Sequence, residues 1–358
     1  MIAEFLKTEK EAIDEILEDY FENMGKKETD ILIKDFLRQF KKFSTNPKAK
    51  RIHPILLIAA FGGIVNRMYL EDNIDLVRKA SIAVELLHEG HLIHDDLIDN
   101  DLKRRGKPTF HIQLKKDIEQ TYKNQNIVKS EEKKELYGRD LSVLGGTLGY
   151  LLGLDVLKGS KFPDNVKLSA INEYSEALNF LIRGQIIEEY MEDHGMTMSM
   201  EQYLNIAELQ KARIFEKAAK IGAILARGNI HYQIQPLSEA MLKIGQAHAI
   251  RDDMLDVDED IIQQKKKFLY IVAIQNTNEE QSNRLREIYS KTEKLKNDDV
   301  KQVKEIFEET NANIIAKHFS KNLTEQAKND LKEVYPDLNK DQKTFFEEFS
   351  EYIYTREI

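Results

Sequence analysis

The 358-residue chain contains no cysteine. That excludes disulfides, thiolate nucleophiles and cysteine-ligated zinc, and it agrees with a reducing interior. An excess of positive charge is missing too. There are 53 Lys and Arg against 62 Asp and Glu, a formal net charge of −9, and the basic residues are spread along the chain rather than gathered in a tail. Such a balance disfavours a nucleic-acid partner. No run approaches the ~18 uninterrupted apolar residues of a membrane span. The opening stretch "MIAEFLKTEKEAIDEILEDYFENM" carries acids every few residues and fits neither a signal peptide nor a membrane helix. The expectation is a cytoplasmic protein with no membrane span.

Chain breaks are also scarce. There are six prolines, no Pro/Gly/Ser-rich linker, no repeat of fixed period and no convincing alternating strand. What is present is helical periodicity: Phe5, Leu6, Ile13, Ile16, Leu17, Tyr20 and Phe21 recur at spacings of three and four. The same pattern predicts helices over 53–69, 72–101, 138–158, 165–192, 200–228, 235–259, 266–275, 282–296, 299–333 and 340–356. Length alone favours two domains, but no boundary offers itself, so the reading is one all-α domain over 1–358. The charged stretch 115–137 lacks a sustained apolar stripe and is expected to be an exposed, partly helical insertion loop.

Chemistry concentrates in "HLIHDDLIDNDLKRRGKPTFH", residues 91–111, where Asp95, Asp96, Asp99 and Asp101 are followed by Lys103, Arg104, Arg105 and Lys107. On a helix Asp95 and Asp99 share a face, with Asp96 about 100° around. Three carboxylates so placed repel unless a cation sits between them, and oxygen-only ligands suit magnesium, whose shell substrate phosphates complete. Asp252, Asp253 and Asp256 repeat the spacing within "GQAHAIRDDMLDVDED". One acidic cluster reads equally well as a solvated face; two of identical spacing flanked by Leu, Ile and Met do not. Magnesium beside arginine is an apparatus for holding a diphosphate, and Arg104 and Arg105 follow the first acids closely enough to grip its oxygens.

These segments resemble the trans-isoprenyl diphosphate synthases, or polyprenyl synthetases. The first motif with its tail, "DDLIDNDLKRRGKPTFH", and the second, "RDDMLD", match that family in order and context. So do "KRIHP" at 50–54, "ELLHEGHLIHDD", "GQIIE" at 184–188, "RIFEKAAKIGA" and the ending "YIYTREI". The resemblance implies an isoprenoid synthase-type helical bundle around a central cavity, a homodimer, and the two Asp-rich motifs facing each other at its mouth. It implies head-to-tail joining of isopentenyl diphosphate to an allylic diphosphate, with three magnesium ions. Carried over residue by residue, Asp95, Asp96 and Asp99 bind magnesium with the allylic diphosphate, Asp252 and Asp256 bind the third ion, and Asp253 belongs to the same motif. Arg104 touches the allylic diphosphate, Lys50, Arg51, His88 and Arg105 hold isopentenyl diphosphate, and Lys266 matches the lysine after the second motif. Taken alone, His88 would read as a core histidine, Lys50 and Arg51 as a basic loop, and Gln185 as a helix-pairing residue; the resemblance makes them substrate-site candidates.

Several positions depart from the family. Lys48-Ala49 replace two glycines, and His53 replaces an arginine of the isopentenyl site with a group that titrates near neutrality. The mid-chain Lys-Thr is Gln210-Lys211, which displaces the lysine by one position. His248-Ala249 stand for Phe-Gln, Glu188 for an aspartate and Gly145-Gly146 for Gly-Asp, while 111–138 is longer than typical. Product length in the family depends on the residue five before the first motif, here Gly90, with His91 and Leu87 as other candidates for the cavity floor. A small residue there, and no insertion within "DDLID", point to the twenty-carbon geranylgeranyl product. The rivals are a class I terpene cyclase, which ionises the same allylic diphosphates, and a non-catalytic regulatory subunit of a prenyl synthase.

Overall fold

The computed structural model describes residues 2–356 apart from 126, 195 and 197. The chain divides into two compact units, one of residues up to 178 with 218–228 and the other of 179–217 with the chain from 229 onward. The first contains α1 (Ile2–Lys27), α2 (Ile31–Ser44), α3 (Ile52–Ile64), α4 (Arg67–Ile98), α5 (Phe110–Asn124), α6 (Glu131–Gly159) and the start of α7 (Asp164–Asp193). A two-stranded antiparallel hairpin, β1 (Lys103–Arg104) and β2 (Lys107–Pro108), follows α4.

This unit is built around α4. Its flank α3 has no polar face, being buried from His53 through Gly63. Against α6 the approach is close because glycines line it. A Cβ on Gly149 would stand 2.8 Å from the Gly90 Cα, and one on Gly153 would stand 2.5 Å from the Ala83 carbonyl oxygen. His94 locks the far end, its Nε2 lying 3.0 Å from the Val143 carbonyl oxygen and its Nδ1 3.3 Å from the Tyr150 hydroxyl. Among the described residues α6 is the one helix long and apolar enough to suit a membrane by length and composition. Its packing against α4 and α5 accounts for much of that apolar character.

The second unit holds the end of α7, α8 (Met200–Ala207), a π-helical turn (Glu208–Ala212), the start of α9 (Arg213–Leu225), a second π turn (Ile230–Ile234) and α10 (Gln235–Leu255). It continues through α11 (Val257–Ile262), α12 (Phe268–Asn276), α13 (Glu279–Ile288), α14 (Asn297–Glu309), α15 (Ala312–Lys332) and α16 (Lys340–Thr355). Its core gathers Tyr203, Ile250, Phe268, Ile271, Leu285 and Phe307, all at most 5% exposed. The α10 helix packs on α15 and α16.

The all-α expectation holds, with the short hairpin as the one strand pairing among the described residues. Boundaries shift for identifiable reasons. The expected loop 115–137 is helical on both sides of 125–130, because Lys115 pairs with Glu131 and Glu135, and Lys134 with Glu119, tying α5 to α6 through charge rather than an apolar stripe. The unpredicted α2 starts at Asp30, whose carboxylate accepts from the Leu32 and Ile33 amides, and buries Leu37, Phe40 and Phe43. The expected helix 299–333 breaks at Asn311, which adopts a left-handed φ of 57°.

The α4–α6 crossing predicts that Gly149→Ala lowers stability by about 1–3 kcal/mol, since its methyl would meet backbone that no rotamer change relieves. Gly159→Ala, with nothing within 4 Å, should change it by less than about 0.5 kcal/mol. Chemical denaturation of both variants checks the contrast.

Candidate active site

In the first unit α4 delivers Asp95 and Asp96, and Asp99 caps it. The chain then reverses through the hairpin, whose two central residues, Arg105 (φ 52°) and Gly106 (φ 75°), are both left-handed. That is the backbone of the tight I′ hairpin, and it explains why glycine follows the arginine pair. The reversal brings Arg104 back over the acids: Nε donates to Asp96 Oδ1 and Nη2 to Asp95 Oδ2 at 3.1 Å. Asp96 is fully buried with Oδ2 unpartnered, and burial pushes its carboxyl up to about 7. Arg104 and Arg105 also share the walls of a small pocket with Lys42, Asn46, Lys107 and Gln113.

The expected isopentenyl residues separate into two groups. Lys50 is exposed, while His53 and His88 meet edge to face with ring centroids 4.4 Å apart. Desolvation, reinforced by the charges of His53 and Arg105, holds the His88 imidazole well below its usual value. Arg51 is spent inside the unit. Its side chain is wholly buried at a left-handed φ of 56°; Nε donates to Asp14 at 2.8 Å, Nη1 to Glu85, and Nη2 to the Ser44 carbonyl at 2.8 Å. Arg105 Nη1 donates to Glu89 Oε1 at 2.7 Å.

Of the expected floor residues, Leu87 and His91 are buried. Gly90 lies against α6, where an added Cβ would meet the Gly146 carbonyl oxygen at 2.7 Å and the Tyr150 ring at 3.1 Å. Helix crossing is thus its evident role.

In the second unit α10 carries Asp252 and Asp253, and Asp256 caps it. Asp252 is ringed by basic groups: the Arg356 guanidinium bonds to it, Lys211 Nζ lies at 3.7 Å, and His248 Nδ1, on an imidazole that burial holds below its usual value, lies at 3.1 Å. Burial would raise its carboxyl, but these neighbours hold it far below the usual range. Arg356 is fixed in turn by Arg251, whose Nε and Nη2 donate to its carbonyl at 3.0 and 2.6 Å. Burial and the nearby Asp252 charge push the Asp256 carboxyl up. The displaced lysine therefore reaches the second motif, because the π turn 208–212 inserts extra backbone and re-aims it.

Gln210 takes the preceding position and donates to Glu188 at 2.7 Å and to Gln185 at 3.1 Å. Lys267 also pairs with Glu188, one residue beyond the half-buried Lys266 that was expected to matter. Asp253 faces inward, accepting from the Tyr203 hydroxyl at 2.5 Å and the Phe268 amide at 3.1 Å. Sequence reasoning passed over Glu89, Tyr203, Lys267 and the role of Arg356. Arg356 lies in the ending "YIYTREI" and Glu89 in "ELLHEGHLIHDD", both segments that match the family, whereas Tyr203 and Lys267 lie in none.

The family model for polyprenyl synthetase matches residues 34–309. The chain belongs to the polyprenyl synthetase family. It is 30% identical over 269 residues to a short chain isoprenyl diphosphate synthase of Methanocaldococcus jannaschii, covering 72% of each chain. To a farnesyl diphosphate synthase of Buchnera aphidicola it is 30% identical over 233 residues, covering 62% of this chain and 67% of the relative. A geranylgeranyl pyrophosphate synthase of Corynebacterium glutamicum, solved with isoprenyl diphosphate and magnesium, shares the fold with a TM-score of 0.85 at 21% identity, covering 99% of both chains. As a polyprenyl synthetase the protein is a transferase, a trans-prenyl diphosphate synthase.

Among the described residues no group of three or more His, Asp or Glu converges to hold a metal on protein ligands alone. Magnesium is usually held by one or two carboxylates, with substrate phosphate completing its shell. The unpartnered Asp96 Oδ2 is a donor of the required kind.

Because Asp253 is an anchor, Tyr203→Phe should cost about 1–3 kcal/mol by leaving a buried carboxylate with one donor fewer. Denaturant unfolding measures this, and an unchanged midpoint would remove the anchor role.

Proposed function

We propose that this polyprenyl synthetase condenses isopentenyl diphosphate with dimethylallyl, geranyl or farnesyl diphosphate in a magnesium-dependent reaction, and that its product is geranylgeranyl diphosphate. The observation that carries the reading is the Arg104 guanidinium seated on Asp95 and Asp96 beside Arg105, a charge arrangement made for a metal-bound diphosphate. Bound magnesium, three ions in the full complement, would add positive charge to the leaving diphosphate.

Asp95, Asp96 and Asp99 on the first motif, and Asp252 and Asp256 on the second, are the carboxylates assigned to it. Arg104 orients the allylic diphosphate and disfavours its drift into water. Arg105, Lys50, His53 and His88 are assigned to the isopentenyl diphosphate, and Arg51, with its donors spent, to the scaffold that holds them. Apolar helix faces shield the allylic cation from water until the isopentenyl double bond attacks C1; the proton then lost goes to the departing diphosphate. Gln185 and Lys211 contribute polar groups beside Glu188 and Asp252, and Lys266 stays assigned to the stretch after the second motif.

The twenty-carbon assignment rests on the uninterrupted "DDLID" and on Leu87 and His91 as the floor, Gly90 being taken up by the crossing with α6. A homodimer is proposed on α6, where Val143, Leu144 and Leu151 are 52%, 60% and 54% exposed at helical spacing.

Incubation of the purified protein with isopentenyl diphosphate, each allylic primer and magnesium, followed by mass analysis, should show elongation. No elongation with any primer overturns the proposal, and a hydrocarbon or alcohol formed without isopentenyl diphosphate transfers it to the cyclase. Asp95→Ala should lose roughly a hundredfold or more in kcat while circular dichroism is retained.

A further inference from the structure

Glu89 lies between Arg51 and Arg105. It is fully buried on α4, one turn after Glu85 and one residue after His88. Its Oε1 accepts from Arg105 Nη1 at 2.7 Å and lies 3.5 Å from Arg51 Nη1, while its Oε2 has no partner. A buried carboxylate is costly unless paired, and here the pairing is with the arginine assigned to the second diphosphate.

The local charges close without a surplus: Lys10, Arg51 and Arg105 stand against Asp14, Glu85 and Glu89. Arg51 is served by Asp14, Glu85 and the Ser44 carbonyl. Glu89 is therefore the carboxylate that answers Arg105. The left-handed backbone of the hairpin fixes where Arg105 starts, and Glu89 fixes where its guanidinium ends.

We infer that Glu89 is a positioning residue that pins the Arg105 guanidinium and cancels its charge, setting a weak hold on the diphosphate of isopentenyl diphosphate. The inference rests on the function proposed above. It makes the affinity for the second substrate adjustable by one residue outside the substrate's contacts.

Glu89→Gln keeps an acceptor for Arg105 and removes the opposing charge. The KM for isopentenyl diphosphate should fall about tenfold, the worth of one charge-assisted contact, with the allylic KM unchanged and a steeper dependence of the isopentenyl KM on salt. An unchanged or raised isopentenyl KM, or an equal shift for both substrates, overturns the inference. Glu85→Gln is the control: it should lower thermal stability through Arg51 and leave both KM values in place, and a matching fall in the isopentenyl KM would overturn the assignment to Glu89. If Glu89→Gln does not fold, Glu89→Asp tests the pinning half: the charge stays and the contact with Arg105 is lost, so the isopentenyl KM should rise, and an unchanged value overturns the inference.

Calorimetric binding of inorganic diphosphate separates this inference from the function it rests on. Tighter binding by the variant with no elongation by the wild type keeps Glu89 and discards the condensation. Elongation by the wild type with equal diphosphate binding by both does the reverse.

Discussion

A carboxylate held among apolar side chains needs a positive charge within reach, and each Asp-rich turn meets that need inside its own unit. Arg104 serves Asp95 and Asp96; Arg356 and Lys211 serve Asp252. Isolated buried carboxylates would protonate or unfold their surroundings. The internal cations hold Asp252 ionised, while burial still carries the Asp96 carboxyl up to about 7 beside Arg104. They also set a competition, since whatever metal binds must draw these oxygens away from guanidinium and ammonium groups.

Geometry for that competition comes from the backbone. Close α4–α6 packing at Gly90 and Gly149 and the His94 wedge fix the end of α4, so the acids have a defined direction. The left-handed pair Arg105-Gly106 returns Arg104 onto them. In the second unit the Tyr203–Asp253 bond pins α10 from within, leaving Asp252 and Asp256 as the outward members of the triplet. One aspartate of the motif is thus an anchor, which is why three acids at identical spacing in the two motifs do not serve identical ends.

How much was legible follows from range. Period and spacing are local, so the long helices and the two acidic triplets could be read directly, and Arg104 could be placed by its distance from Asp95. Partners far apart in the chain could not be read. Arg356 meets Asp252 across 104 residues and Arg51 meets Asp14 across 37. Lys211 looked misplaced because an ideal helix turns about 100° per residue, and the π turn that restores its aim has no sequence mark. The resemblance puts Gly90 at the cavity floor, while in the fold a Cβ there would meet the Gly146 carbonyl oxygen and the Tyr150 ring of α6.

On this reading internal cations occupy the motif carboxylates until a diphosphate arrives with the metal. Calorimetric titration of the wild-type protein with magnesium, alone and then with saturating inorganic diphosphate, tests it most directly. Magnesium alone should bind weakly, and much more tightly once diphosphate is present. Equally tight binding in both titrations would contradict it.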